Sequence, residues 1–253
     1  MTVKELYRYL DERIPRSLSC EWDNDGLMCC PDGDREVRRV LVALDVTGEV
    51  VNAAADGGYD VIISHHPFIF KGLKSIDGDN YIASKAITLI KSGICVMSFH
   101  TRLDAVTGGV NDMLAVLLGL EDIETFGEEG IGRVGELAHK TDIASFALRV
   151  KEALRAPVVL YADASRPVKR VAVLGGEGGD DIAAARAAGA DTYVSGRLGY
   201  HNMTDAPDSG INLIEAGHFY TEDPVCHVLR ELVLCADESI ECVKLFSGNI
   251  RAV

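Results

Sequence analysis

Short apolar runs alternate with helically spaced apolar positions along most of the chain. Thr2-Val3-Lys4-Glu5 has the form of a capping box, in which the Thr2 hydroxyl and the Glu5 carboxylate satisfy free backbone N–H groups. Leu6, Tyr9 and Leu10 follow at helical spacing, so the first element is a helix. From Arg39 onward the pattern predicts a strand over 40–44, a helix over 49–56 and a second strand over 61–64. A helix over 81–92 stops at Gly93, which can take the left-handed conformation that ends a helix, and 94–99 reads as another strand. This order predicts an α/β fold with buried, largely parallel strands.

The second half echoes the first. Gly58-Tyr59-Asp60 leading to Ser64 matches Gly189-Ala190-Asp191 leading to Ser195, at an offset of 131 positions that Val40 and Val171 share. Each copy runs strand, loop, Ala-rich helix, Gly-x-Asp turn, strand and polar loop. The plainer explanation is that strand-helix-strand units share generic requirements; the stronger one is two similar α/β lobes, pseudo-twofold related, with central mixed, largely parallel sheets and a cleft between them for any site. The segment 120–132 (Glu121, Asp122, Glu124, Glu128, Glu129) has the composition of an exposed connection. The first lobe is therefore expected over 1–125, with 210–253 returning to it, and the second over 126–209.

Composition narrows the chemistry. The 253 residues are 47% hydrophobic, enough for one large domain or two modest lobes. Lys and Arg number 25 against 39 Asp and Glu, a formal charge of −14 that opposes a nonspecific grip on nucleic acid or anionic lipid and favours a metal ion, a basic partner or a small substrate. No apolar run approaches the roughly 20 residues that cross a bilayer, and no secretion-type apolar stretch follows Met1, so a soluble, cytoplasmic protein is expected. Seven cysteines with no C-x-x-C pair predict reduced core thiols, not a disulfide framework or a Cys-rich zinc module.

Candidate chemistry gathers at three strand ends. Ser64-His65-His66-Pro67 follows the buried strand 61–63 at the carboxyl edge of the sheet, where ligands bind in open α/β folds. Adjacent histidines on extended backbone point in opposite directions, so His65 and His66 suit two ions better than one. His100-Thr101-Arg102-Leu103-Asp104 ends the strand 94–99. There Asp104 is within reach of a metal or serves as a helix cap, and His100 is a ligand, a ligand orienter or a substrate contact. His218 and Glu222, four apart after the strand 212–214, complete the set, although Thr221 and Pro224 predict a helix that begins nearer Glu222, where an acid is favourable in any case. Three imidazoles and two carboxylates suit two divalent ions roughly 3.5–4 Å apart. Zn, Fe, Mn, Co and Ni all match such ligands.

These segments resemble the Nif-three-like (NGG-one-interacting-factor-three) dinuclear metal-centre proteins, some of which are labelled GTP cyclohydrolase I type two. The similarity begins at Glu21-Trp22-Asp23-Asn24-Asp25-Gly26-Leu27 and continues through Leu44-Asp45-Val46-Thr47, Ser64-His65-His66-Pro67, His100-Thr101-Arg102-Leu103-Asp104 and Gly108-Gly109-Val110-Asn111-Asp112. It ends at Gly217-His218-Phe219-Tyr220-Thr221-Glu222 and so spans nearly the whole chain. The resemblance implies that His65, His66, Asp104, His218 and Glu222 occupy the family's metal-ligand positions, and that the chain forms a ring-like homohexamer with its sites facing an interior cavity. The short 120–132 connection implies that the third domain inserted in longer relatives is absent. Arg197 stands where the family usually has an acid, and Glu215 where it usually has Asp. Arg197 suits a phosphate, a carboxylate or a surface ion pair.

The resulting expectation is a metal-dependent hydrolase acting on a nucleotide-like small molecule, with hydroxide attack at purine C8 of GTP, release of formate, and His100 or His201 moving the proton. The alternative is a non-catalytic hexameric metal-binding scaffold or regulator. Two further features have bland readings. The loop Gly175-Gly176-Glu177-Gly178-Gly179 is a tight turn before a helix or, against its acidic residues, an anion cradle. Asp23 and Asn24 are turn and cap residues beside Trp22 as an aromatic anchor, with a site-facing role left open by the resemblance.

Overall fold

The computed structural model describes residues 1–251. In chain order the elements are α1 (Val3–Arg13), β1 (Gly26–Cys29), β2 (Arg39–Ala43), α2 (Gly48–Gly57), β3 (Val61–Ser64), α3 (Tyr81–Ser92), β4 (Cys95–Ser98) and α4 (Thr101–Ala105). There follow α5 (Val110–Leu117), β5 (Leu120–Phe126), β6 (Gly132–Thr141), α6 (Ile143–Leu154), β7 (Leu160–Ala162), β8 (Val168–Glu177) and α7 (Ile182–Ala187). The chain continues through β9 (Thr192–Arg197), α8 (Tyr200–Ser209), β10 (Asn212–Glu215), α9 (His218–Glu222), α10 (Val225–Ala236) and β11 (Glu241–Lys244). Among the described residues no helix is long and apolar enough to cross a membrane.

Two compact units result. Met1–Leu103 and Val225–Asn249 form the first, and Asp104–Pro224 makes up the second. The boundaries thus differ from those expected near 125 and 210, and strand pairing explains why. The acidic stretch expected as a connection is β5, an edge strand whose acids lie on its exposed positions while Leu120 and Phe126 are buried. It pairs antiparallel with β6, and β10 continues the parallel ladder of β9. Charged side chains on an edge strand discourage pairing with another chain, so the composition of a loop and of a guarded edge look alike.

The first unit has the strand order β1-β4-β3-β2-β11, with β4, β3, β2 and β11 parallel and β1 antiparallel at one edge. Every residue of β3 and β4 is buried, which is why their sequences are apolar without alternation. Leu41, Ile62 and Val96 pack against Val50, Val51 and Ala54 of α2 and Ala86 and Leu89 of α3. Helix α1 begins with both bonds of the capping box, and α3 ends at Gly93 with φ +68°.

The second unit has the order β5-β6-β8-β9-β10-β7, with β8, β9 and β10 parallel and antiparallel strands on either side. Val171, Val173, Val194 and Ile214 face Leu114, Phe146 and Val150, whereas Ala172, Tyr193 and Leu213 face Ala185 and Ala206. The alternation places a helical layer on each face of the sheet.

The internal repeat extends to individual hydrogen bonds. Val40 is registered with Val61, and Val171 with Thr192, each partner displaced by 131 positions. The Asp60 carboxylate accepts from the backbone N–H groups of Arg38 and Arg39, and the Asp191 carboxylate from those of Lys169 and Arg170. Strand β4 with α4 likewise matches β10 with α9, now at an offset of 117 positions. Phe99 N donates to Ser64 O at 2.9 Å, and Ala216 N to Ser195 O at 2.8 Å. In both units the third parallel strand therefore ends in a five-residue helix.

Candidate metal centre

In the first unit β3 delivers His65 and His66, and β4 delivers His100, because neighbouring parallel strands end at the same edge of the sheet. Their candidate ligand nitrogens all lie within 4.8 Å of one another. Each ring turns Nδ1 to an acceptor of the protein: His65 to the Phe99 carbonyl at 2.9 Å, His66 to Asp45 Oδ1 at 2.7 Å and His100 to Asp23 Oδ1 at 2.9 Å. Such bonds fix the orientation and tautomer of an imidazole and make Nε2 the coordinating nitrogen. His65 is fully buried, and the other two are half-buried.

Asp23 is the best defined of these orienting groups. Its Oδ2 accepts from both Thr101 N at 3.1 Å and Thr101 Oγ1 at 2.6 Å, while Oδ1 faces His100. Burial would raise its pKa, but the hydrogen bonds from His100 and Thr101 outweigh it and pull the carboxyl down to about 2. Asp23 is therefore anionic at neutral pH. Its neighbour Asp25 is buried, accepts from His100 N at 3.3 Å and receives Arg102 Nε at 2.8 Å.

In the second unit α9 starts at His218, three residues before the Thr221 that the sequence pattern offers as a cap, and ends at Glu222, separate from α10. His218 and Glu222 consequently share one face, with Nε2 and Oε2 3.0 Å apart. Glu222 is 5% exposed and His218 44%, so the acid lies deep and the imidazole nearer solvent. Asp104 is half-buried on α4, whose end is tied down by Asn111: its side chain donates to the Asp104 carbonyl at 3.3 Å and accepts from Gly175 N at 2.7 Å.

The glycine run divides in two: Gly178 and Gly179 make the expected tight turn before α7, with Asp181 N donating to Gly178 O at 3.2 Å, while Gly175 and Gly176 lie at the end of β8. Gly175 and Gly176 form the bed on which α9 rests, with Gly176 N donating to Thr221 Oγ1 at 3.0 Å. A Cβ on Gly176, where φ is +71°, would fall against Glu222 Oε1 and lie 3.3 Å from His218 Nε2. A Cβ on Gly196 would lie 2.6 Å from His218 Cα. Gly176→Ala is therefore expected to cost about 2–4 kcal/mol, from left-handed strain together with overpacking. A urea melt measures it, and a loss below about 0.5 kcal/mol would show that α9 does not need this bed.

Other expected site residues lie elsewhere. His201 is exposed in the first turn of α8 against Tyr200, and joins no ligand group among the described residues. Arg197 is exposed, 4.0 Å from Glu177, an ion pair on the surface of its unit. Glu215 accepts from Leu198 N and Gly199 N at 2.7 and 3.1 Å and so braces the loop before α8. Trp22 is not a buried anchor, being 61% exposed.

The donor set fits divalent transition ions. Oriented imidazoles and a deep carboxylate are their ordinary protein ligands, and no cysteine belongs to a ligand group among the described residues.

Known proteins resemble the chain over nearly its full length. The sequence pattern of Duf34/NIF3 (NGG1p interacting factor 3) matches residues 1–246. A Clostridium perfringens protein named GTP cyclohydrolase 1 type 2 homolog is 34% identical over 92% of this chain and 91% of its own length. One of the same name from Clostridium acetobutylicum is 36% identical over 91% and 89%. The crystal structure of a Staphylococcus aureus hypothetical protein superposes with a TM-score of 0.89 at 30% identity, covering 100% of this chain and 99% of that one.

Proposed function

The chain belongs to the Duf34/NIF3 family, and from that premise we propose that it is a metal-dependent hydrolase of a nucleotide, with two divalent ions held by His65, His66, Asp104, His218 and Glu222. The observation that carries the reading is the set of three imidazoles with Nδ1 committed to protein acceptors and ligand nitrogens within 4.8 Å. Gathering three such rings at one sheet edge, each with Nδ1 on its own oriented acceptor, is the arrangement by which proteins present Nε2 to a metal ion.

When bound, the ions would act as Lewis acids and bring the pKa of a coordinated water toward neutrality. The chain's own residues have distinct tasks. His65 is positioned by the Phe99 carbonyl and is closed to solvent, so it anchors. Glu222 is the deep acid that offsets cationic charge, and the Gly175-Gly176 bed fixes its height. His100 holds a proton on Nδ1 against the anionic Asp23 and exchanges one at Nε2 with the substrate. For GTP the reaction is hydrolytic opening of the purine ring at C8 with release of formate, in line with the names of the Clostridium relatives.

Metal-loaded protein incubated with GTP tests this directly. Formate release is expected to fall by about 100-fold or more in His65→Ala and Glu222→Ala. Wild-type release no faster than that of the two variants would overturn the reaction. We extend the proposal to a homohexamer, read by sedimentation with and without chelator. Metal retention with no turnover, and an oligomer that dissociates on stripping, would make the protein a scaffold instead.

A further inference from the structure

An aromatic group with no place in the ligand set lies beside it in the first unit. Trp22 is 61% exposed and Phe70 45% exposed, an unusual position for two of the largest apolar side chains in the molecule. They meet edge to face, with ring centroids 6.2 Å apart and planes at 73°. Both also meet His100 edge to face, at 6.1 and 6.3 Å. Three rings from three separate segments of sequence are thus set around one point, with His100 shared between this group and the imidazole cluster.

Each ring is held by its backbone instead of by burial. The Trp22 turn is closed by Asp23 N donating to Cys20 O at 3.0 Å, and Cys20 N donates to Thr101 Oγ1 at 3.0 Å. The Phe70 segment is tied to the same turn by Asn24 Nδ2, which donates to Ile69 O at 2.6 Å. His100 is fixed by Asp23. Ordering two exposed aromatic rings in this way gains nothing from the hydrophobic effect unless something apolar and flat covers them.

We propose that Trp22 and Phe70 form a stacking platform for a planar heteroaromatic ring, placing the base of a nucleoside against His100. The assignment rests on the hydrolase reading and adds to it the part of the substrate that is recognised. Glu21, Lys71 and Gly72, the exposed residues flanking the rings in sequence, are charged or small and add no apolar area of their own. The overall charge of −14 gives the protein no general attraction for phosphate, so grip on the uncharged ring supplies selectivity that charge does not.

The chain contains a single tryptophan, so its indole fluorescence reports on Trp22 alone. Guanosine added to the full-length protein, with correction for nucleoside absorption, is expected to quench that signal saturably, and ribose 5-phosphate to leave it unchanged. Equilibrium dialysis of guanosine should show about tenfold weaker binding to Trp22→Leu and near-wild-type binding to Trp22→Phe, which keeps an aromatic face. Equal binding to wild type and Trp22→Leu would overturn the platform, as would quenching by ribose 5-phosphate equal to that by guanosine. A signal that changes with protein concentration but not with guanosine would also overturn it, by assigning the rings to a contact between copies. Metal content measured on the same samples separates the two readings. Guanosine binding that needs Trp22 in protein unable to take up a divalent ion would uphold the platform while removing the hydrolase.

Discussion

His65→Ala is expected to weaken binding of a divalent ion by about 100-fold or more, since losing only an orienting partner of a ligand already costs about 10–100-fold. His65 is the severest position because its ring is fully buried and its Nδ1 is committed to the Phe99 carbonyl. Neither solvent nor a neighbouring side chain can replace it without opening the end of β3. Asp45→Asn serves as the graded control. It keeps an acceptor near His66 Nδ1 but removes the carboxylate charge, so a smaller loss of about tenfold is expected. Competition with a chromophoric chelator gives both values. Equal affinities for His65→Ala and wild type would remove His65 from the ligand set.

The second large effect is on stability. Arg102 is completely buried at the start of α4, donating from Nε to Asp25 Oδ2 at 2.8 Å and from Nη1 to Asp11 Oδ1 at 2.5 Å and to the Ile14 carbonyl at 2.9 Å. Its guanidinium also lies 4.6 Å from the centre of the Phe99 ring. Arg102→Leu would remove the buried cation from the Asp25 carboxylate, leaving it the half-exposed Arg16 at 3.2 Å, and is expected to cost about 3–5 kcal/mol. Arg102→Lys retains the charge but not a planar fork able to serve three acceptors, so about half that loss is expected. Urea unfolding monitored by circular dichroism measures both. A loss below about 1 kcal/mol for Arg102→Leu would mean that the pair does not hold α1, the Trp22 turn and α4 together.

Much of the fold was legible because buried parallel strands must be written as short apolar runs, as at Val61–Ser64, and helix ends must carry their caps, as at Thr2 and Gly93. The ligand types were legible for a related reason: histidines and acids directly after such strands have few structural uses. What completes the candidate site was not. Asp45 and Asp23 orient His66 and His100 from 21 and 77 positions away, respectively, and no local pattern signals such a pairing. Arg102 and Asp25 read as ordinary polar residues, and only the fold shows both to be inaccessible. For Asp23 the local pattern read as turn and cap chemistry, and only the family resemblance left a site-facing role open. The start of α9 was expected too late, near Glu222 instead of at His218, because the glycine bed that supports the helix comes from a distant strand.

Gly196 occupies the position in its copy that His65 occupies in the other. Where one copy presents Ser64-His65-His66, its counterpart reads Ser195-Gly196-Arg197, with the short helix α9 pressed so near that a side chain at 196 would meet the His218 backbone. The repeat is therefore one of scaffold and not of chemistry. One copy carries a histidine pair at its strand end, whereas the other has glycine at the matching position and packs its short helix against it. Transplanting the histidine pair into the second copy would therefore evict the helix that carries His218.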